Sequence, residues 1–407
     1  MRVLYFHQHF STPSGSTGTR SYEMARRLIS RGHHVTMVCG SGKMASSGLQ
    51  GEPTKGIRRG TVDDIDVIEF CLPYSNYDSL LKRSLTFLRF AWRSIRLALC
   101  LEYDLVFATS TPLTAGIPGI FASLLRHKLF IFEVRDLWPE LPREMGVVTN
   151  PAVLAAMSVL EWSSYHAAKG CIGLSPGIVR GIVRRRGSAE NVTMVPNGCD
   201  LDLFLPQDGE VRRPAEVAPE DFVAVFTGAH GMANGLDAVL DAAGELIKKG
   251  RSDIKIVFIG DGKLKPNLIQ RALREGLDNC LFMDPVPKLK LAEYLRGADA
   301  GLMILGNVPA FYYGTSPNKF FDYIAIGLPV INNYPGWLAE MISDNNCGIV
   351  VPPENPQSFA SALEKLSDER ELRKQMAQNA RALAVREFNR IDLCDKFVDF
   401  LEGVSQK

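Results

Sequence analysis

The chain has 407 residues, 46% hydrophobic and 22% charged, enough apolar material for two α/β domains with separate cores and too much for a disordered chain. A net charge of +1 hides an asymmetry, because residues 1–200 hold 23 Lys/Arg against 16 Asp/Glu and the remainder 23 against 29, so the first half is expected to meet an anion or an acidic surface. No run of roughly 18 consecutive apolar residues is present to span a bilayer, and the eight cysteines lack any CxxC spacing, a pattern of reduced thiols in a cytosolic protein.

Met1-Arg-Val-Leu-Tyr-Phe runs straight into a strand with no signal-peptide pattern. A strand over 3–6, a Gly/Ser/Thr-rich loop over 11–19, a helix over 20–30 and a strand over 35–39 form a βαβ unit. His33-His34 reads as a turn pair. Asp64-Ile-Asp66 spells a DxD inside an alternating strand or hairpin; with no third ligand nearby in sequence it is rejected as a metal site, and no metal is expected. Residues 79–101 hold no acidic residue but five basic ones. At 100° per residue Lys82, Arg89, Arg93 and Arg96 fall within a stripe of about 60°, flanked by Leu, Phe, Trp92 and Ile95. An interfacial helix facing anionic headgroups through Lys82, Arg89 and Arg93 is expected; the alternative is a core-packed helix with a solvated basic face.

Buried-strand patterns follow at 67–71, 105–108, 129–134 and 171–174, so the first half reads as a parallel doubly wound sheet. Turn chemistry in Val195-Pro-Asn-Gly-Cys-Asp200, extended by Pro214 and Pro219, marks a domain junction. A second α/β series begins at strand 222–226 and continues through helix 236–248, strand 254–259, strand 279–283, helix 289–298, strand 301–305, helix 318–326 and strand 329–332. The expected domains are 1–200 and 201–385, two Rossmann-like halves facing a central cleft, with 386–407 as a C-terminal helix packing back on the first. Residues 368–402 are helical in period throughout.

Ser316-Pro317 sits where an N-cap and first helical residue are expected, so backbone N–H groups of the next turn form an anion site. Lys319 lies in that first turn and Asp322 is at i+3, a cation for phosphate and a carboxylate for ribose hydroxyls on one helix end. The alternative is a capped helix whose Lys and Asp pair on its surface. Small residues at Gly228 to Gly235 and at Gly260 and Gly262 follow successive strands, converging where open α/β sheets take ligands. No tight GxGxxG with a later acidic residue opens a βαβ unit, which disfavours a nicotinamide dehydrogenase. In the first half Gly15, Thr17 and Gly18 present a small-residue loop, with a solvated turn as the alternative. Arg135-Asp136 ends an apolar strand; Arg135 stays protonated and cannot act as a base, so Asp136 is the candidate for orienting or deprotonating a hydroxyl, or else a structural partner.

Ser316-Pro-Asn-Lys-Phe-Phe-Asp-Tyr-Ile-Ala-Ile-Gly-Leu-Pro, Gly228-Ala-His-Gly-Met-Ala-Asn-Gly, Val134-Arg-Asp-Leu-Trp-Pro-Glu and Val195-Pro-Asn-Gly with Asp200 together resemble glycosyltransferase family 4, and within it the WbuB-like branch. The resemblance implies a GT-B fold and retaining transfer from a nucleotide-diphospho-sugar, with neither metal nor cofactor. It implies UDP as the nucleotide, N-acetylated 6-deoxyhexoses among the donor sugars, and a lipid-linked saccharide acceptor in O-antigen or capsule synthesis at the cytoplasmic face of the plasma membrane. Gly228, His230, Asn234, Gly260, Gly262, Ser316, Asn318, Lys319 and Asp322 are then the donor-binding set in the second domain, Gly15, Thr17 and Gly18 the acceptor-binding set in the first, and Asp136, Lys319 and Arg135 the catalytic candidates. No nucleic-acid partner is expected. The chain departs from the family at Gly314, where the first of two acidic residues eight apart is usual, at Ala229 and Asn234 in place of a diphosphate-gripping Arg and Lys, and at Arg135 in place of a histidine. A nucleotide-sugar epimerase of the same fold and a scaffold with a decayed site are the rival readings.

Overall fold

The computed structural model describes residues 1–42, 45–75, 77–205 and 209–406. It divides into two compact units, Met1–Pro196 with Tyr313–Ser316 and Ile391–Lys407, and Asn197–Tyr312 with Pro317–Arg390. The division falls at 196/197, within the turn segment that marks the junction in the sequence.

The first unit is built on eight strands, β1 (Arg2–Phe6), β2 (His34–Gly40), β3 (Ile57–Val62), β4 (Ile65–Phe70), β5 (Leu105–Thr109), β6 (Leu129–Val134), β7 (Gly170–Gly173) and β8 (Val192–Met194), in the order β3-β4-β2-β1-β5-β6-β7-β8. All pair in parallel except the β3–β4 hairpin. The central strands are continuous apolar runs because helices cover both faces. These helices are α1 (Arg20–Ser30), α2 (Leu80–Cys100), α3 (Ile117–Arg126), α4 (Glu140–Glu144), α5 (Pro151–Ala167) and α6 (Pro176–Arg186). Side-chain oxygens cap three of them, Ser79 at α2, Asn150 at α5 and Ser175 at α6. The DxD lies at the hairpin turn, where Asp63 and Asp64 take φ of 48° and 64°. Asp64 pairs with Arg26 at 3.2 Å and Asp66 with His34 at 3.0 Å; among the described residues no group of His, Cys, Asp or Glu is placed to hold a metal.

The second unit has a six-stranded, all-parallel sheet of β9 (Phe222–Thr227), β10 (Ile254–Ile259), β11 (Cys280–Met283), β12 (Ala300–Met303), β13 (Val330–Asn332) and β14 (Gly348–Val350), ordered β11-β10-β9-β12-β13-β14. Its helices are α7 (Asp237–Lys248), α8 (Lys265–Glu275), α9 (Lys288–Arg296), α10 (Pro309–Gly314), α11 (Asn318–Ile326), α12 (Trp337–Asp344), α13 (Pro356–Asp368) and α14 (Arg370–Glu387). In each sheet the first strand of the series lies between strands reached in opposite directions, β1 between β2 and β5, β9 between β10 and β12. The carboxyl end of such a strand is a topological switch point, where loops part and leave a crevice.

The helical period over 368–402 is interrupted. Phe388 and Asn389 separate α14 from α15 (Arg390–Ser405), because the Cys199 amide donates to the Phe388 carbonyl at 2.7 Å and the Arg390 amide to the Cys199 carbonyl at 3.0 Å. The last helix therefore starts at 390, not 386. It belongs to the first unit, where Asp395 accepts from Arg27 at 2.7 Å and Phe397 packs edge-on against Phe107 at 5.0 Å.

Candidate functional site

At the switch point of the second unit, β9 ends in Thr227 and turns at Gly228, with φ of 132°. A Cβ there would stand 3.3 Å from Cε of Lys319, so the glycine leaves room for that side chain. The next loop approaches closely: a Cβ on Gly260 would lie 1.9 Å from the Gly228 carbonyl oxygen, and one on Gly262 would lie 2.6 Å from that of His230. Both glycines are thus required by loop-on-loop packing, which shapes the turn without pointing Gly260 or Gly262 at a ligand. Lys265 staples the arrangement, donating to the carbonyls of Gly260 at 3.0 Å and Met283 at 2.9 Å and to Asp284 at 2.8 Å.

His230 does not serve as a phosphate cation here. Its ring is 0% exposed, lies about 6 Å from Phe226, Phe258 and Phe282, and makes no hydrogen bond through either nitrogen. Burial, with Lys265 adding to it, lowers its pKa to about 4, so the imidazole is neutral at pH 7. Its main chain holds the turn, the amide donating to Asp261 and the carbonyl accepting from Leu264.

Among the described residues of this crevice, Lys319 is a cation without a carboxylate partner. The α11 helix begins at Asn318, where the sequence puts it, with Pro317 in place of Ser316 at the cap position and no side chain capping it. Proline has no N–H and no polar side chain, so the cap residue itself offers no oxygen to the first-turn amides. Ser316 itself falls with the first unit. Tyr323 in the next turn fixes the helix to β9, its hydroxyl accepting from the Thr227 amide at 2.8 Å. Lys319 Nζ then reaches 3.9 Å from the centroid of the Phe226 ring and donates to Asn234 Oδ1 at 2.7 Å. Asn234 is held in turn by its amide donating to the Ala229 carbonyl at 2.7 Å. Among the described residues no carboxylate lies within ion-pair distance of Lys319, and burial alone lowers its pKa to about 7. The surface pairing of Lys319 with Asp322 is not formed.

Asp322 faces the other way, into a buried cluster. Its carboxylate is 6% exposed, and Oδ1, without a hydrogen bond, lies 3.5 Å from Lys288 Nζ. Lys288 also binds Asp200, which accepts from Arg390 Nε at 2.7 Å. Burial raises the pKa of Asp322 against the pull of Lys288. Asp200, somewhat less buried, is held well below the carboxylate range because Arg390 and Lys288 outweigh desolvation. Sequence reasoning missed Lys288 and Arg390: the partners of Asp200 lie 88 and 190 residues away, and no local pattern signals them. A cleft of about 310 Å³ opens nearby between Gly235, Asp237, Gly306, Asn307, Asn333 and Glu354; none of the expected donor residues lines it.

In the first unit the switch point is the end of β1, followed by His7, Gln8 and His9, none singled out in the sequence. Arg135, at the end of β6, places Nη1 3.3 Å from His7 Nε2 and takes its backbone geometry from Ser110 Oγ at 2.9 Å. Burial, the Arg135 charge and His9 hold His7 neutral, far below its usual pKa. Among the described residues Arg135 makes no ion pair, since the nearby Glu133 is committed elsewhere. Arg20 donates to Glu133 at 3.0 and 2.7 Å and to the carbonyls of Pro196 and Val195, and both side chains are wholly enclosed. Burial raises the Asp136 pKa, with Arg135 and a Thr111 hydrogen bond pulling back. In the loop over 15–18 the Gly15 amide donates to Thr12 at 3.0 Å, and Thr17 Oγ1 is enclosed with no hydrogen bond. On α2, Lys82 is paired with Asp78 at 2.6 Å, Arg93 lies over the Phe70 ring at 5.7 Å, and Arg89 is exposed.

Residues 15–198 match the family described as glycosyl transferase 4-like domain, and residues 208–383 the family described as glycosyl transferases group 1. Alpha-D-kanosaminyltransferase of Streptomyces kanamyceticus is 26% identical over 251 residues, 57% of this chain and 60% of that protein. The matched stretches span about half to three fifths of the curated relatives' own length. Three solved structures share the fold: sucrose-phosphate synthase from Thermosynechococcus elongatus (TM-score 0.75, 16% identity, 99% and 98% of the two chains), Anabaena HepE in complex with UDP and glucose (0.70, 16%, 99% and 99%), and WaaG, a glycosyltransferase involved in lipopolysaccharide biosynthesis (0.69, 18%, 98% and 98%).

Proposed function

We propose that this chain, a glycosyltransferase of GT-B type carrying one glycosyl transferase 4-like domain and one group 1 domain, transfers a sugar from a UDP-linked donor to a lipid-linked saccharide in surface-polysaccharide synthesis. The observation that carries the reading is Lys319, a cation with no carboxylate partner among the described residues, placed at the switch point of its sheet beside the uncapped start of α11. A diphosphate supplies the missing charge: its oxygens accept from the ammonium and from first-turn amides. The UDP and glucose bound by HepE support this class of donor, and the role of WaaG supports a surface-polysaccharide context.

In the reaction the bond from the anomeric carbon to the leaving phosphate oxygen breaks, and a bond from that carbon to the acceptor oxygen forms on the same face. Lys319 and the α11 amides stabilise the negative charge that grows on the leaving diphosphate. The acceptor proton passes to a leaving-phosphate oxygen, with Asp136 orienting the hydroxyl. Asn234 positions Lys319, and Arg135, lacking an ion-pair partner among the described residues, takes an acidic group of the acceptor, while Asp322, turned into the buried cluster with Lys288, is left out of ribose recognition. His230, Gly260 and Gly262 form the wall of the donor crevice. The acceptor is a lipid at the inner face of the plasma membrane, met by Lys82, Arg89 and Arg93 of α2. The sugar is of the N-acetylated 6-deoxyhexose class.

The test is incubation with labelled UDP-sugars and a polyprenyl-diphosphate monosaccharide. Label entering the organic phase only when acceptor is present supports transfer. Conversion of the donor without acceptor supports the epimerase reading instead, and no turnover with no UDP binding supports the scaffold.

A further inference from the structure

Helices α2, α3 and α5 lie side by side, α3 packing against both of the others, and their outward surfaces are not those of solvated helices. On α2, Leu81, Leu85, Leu88 and Trp92 recur at the spacing of one helical stripe and stay exposed, Leu81 by 72% and Trp92 by 76%. Lys82, Arg89, Arg93 and Arg96 form the adjoining exposed stripe. On α3 the outward residues are Phe121, Leu124 and Leu125, with Leu124 65% exposed. On α5 they are Val159 and Trp162, three residues apart, 64% exposed at Val159 and 49% at Trp162. The one charged residue of α5, Glu161, is buried against Arg185 at 3.2 Å. A surface helix ordinarily turns polar residues to water. Nine large apolar side chains on three adjacent helices exceed the scatter of single exposed leucines and mark a covered surface.

We propose that this three-helix face seats the protein on an anionic membrane and holds chiefly by burying its apolar side chains, with the α2 cations as a charged rim. The proposal rests on the lipid-facing reading of α2 and extends it to α3 and α5 and to an apolar mode of attachment. Charge decides between a bilayer and a second copy. Between Leu80 and Cys100 there are five cations and no carboxylate, and the outward faces of α3 and α5 supply no carboxylate either, so a copy meeting this face with the same face brings no counter-charge. Anionic headgroups bring it, and tryptophans beside arginines suit the headgroup boundary. Burial of each leucine-sized side chain outweighs the attraction of each cation to the surface.

The test is flotation of the full chain with vesicles of phosphatidylcholine containing a minority of phosphatidylglycerol, for the wild type, a Leu124→Glu/Trp162→Glu variant and an Arg89→Glu/Arg93→Glu variant. Retained UDP-induced thermal protection serves as the folding control. The wild type is expected to stay largely bound in about 1 M salt, where the Debye length is about 3 Å, and the α3/α5 variant to lose about tenfold or more in partitioning. Wild-type levels of binding by the α3/α5 variant, with loss confined to the α2 variant or to high salt, would overturn the apolar mode while leaving a charged lipid contact in place. A wild type that ignores vesicles and forms a dimer dissolved by the α3/α5 substitutions would assign the face to a second copy. A monomer that ignores vesicles would remove both this proposal and the lipid-facing reading.

Discussion

Lys319 is charged below its depressed pKa of about 7 and neutral above it. A diphosphate favours the charged form, so donor binding takes up a proton above pH 7. Affinity for UDP-glucose, whose diphosphate does not titrate in this range, is therefore expected to fall between pH 7 and 9 by up to about tenfold per unit. A Lys319→Arg variant should show a flat profile in the same calorimetric titration. The sign for stability is opposite. The unfolded lysine binds a proton up to its ordinary 10.5, so the free protein gains stability as pH rises from about 7 toward that value, and Lys319→Met should raise the melting temperature of the free protein at pH 6 while abolishing protection by UDP-sugars. Glu133 belongs to a different class. Burial would raise its pKa, but Arg20 outweighs burial and holds it low; Glu133→Gln leaves the guanidinium without its charge partner and is expected to cost about 3–5 kcal/mol, read as a lower melting temperature.

Among the elements, the two loops that pack at Gly228 and Gly260 set the crevice. A Cβ at Gly260 meets backbone at 1.9 Å where φ is 155°, so Gly260→Ala must displace the Gly228 turn. A UDP-glucose affinity at least about tenfold weaker, at about 1–3 kcal/mol lower stability, is expected. Calorimetry and thermal melts check the two effects separately. Most strands of both sheets were legible in the sequence because helix-covered parallel strands read as unbroken apolar runs, and the α11 segment was legible through its Lys and Asp spacing; β8 and β14, three half-buried residues each, carry no such run. The helix reads at 318–326 in the sequence, as found, but Ser-Pro, which reads as a cap pair, puts its cap one residue early. His230 looked like a phosphate ligand from its glycine neighbours; only the three phenylalanines around it, from β9, β10 and β11, reveal a neutral core side chain. The break before α15 is equally tertiary, fixed by Cys199.

At the scale of the whole molecule, each unit holds near its switch point a cation that has no ion-pair partner among the described residues, Arg135 in the first and Lys319 in the second. The surplus positive charge of residues 1–200 hinted at the former, but its pairing with His7 could not be read from positions 128 residues apart. The cluster of Asp200, Lys288, Asp322 and Arg390 likewise joins the first and last turns of the second unit with a helix between them, and Asp200→Asn is expected to lower its melting temperature by removing the anion that two buried cations share. The central claim is that a nucleotide diphosphate binds at Lys319. Calorimetric titration of UDP-glucose into the wild type and into Lys319→Ala at pH 6.5 tests it most directly. Saturable binding by the wild type, weakened at least about tenfold in the variant, is the expected result; equal affinity in both proteins, or no binding to the wild type, would contradict it.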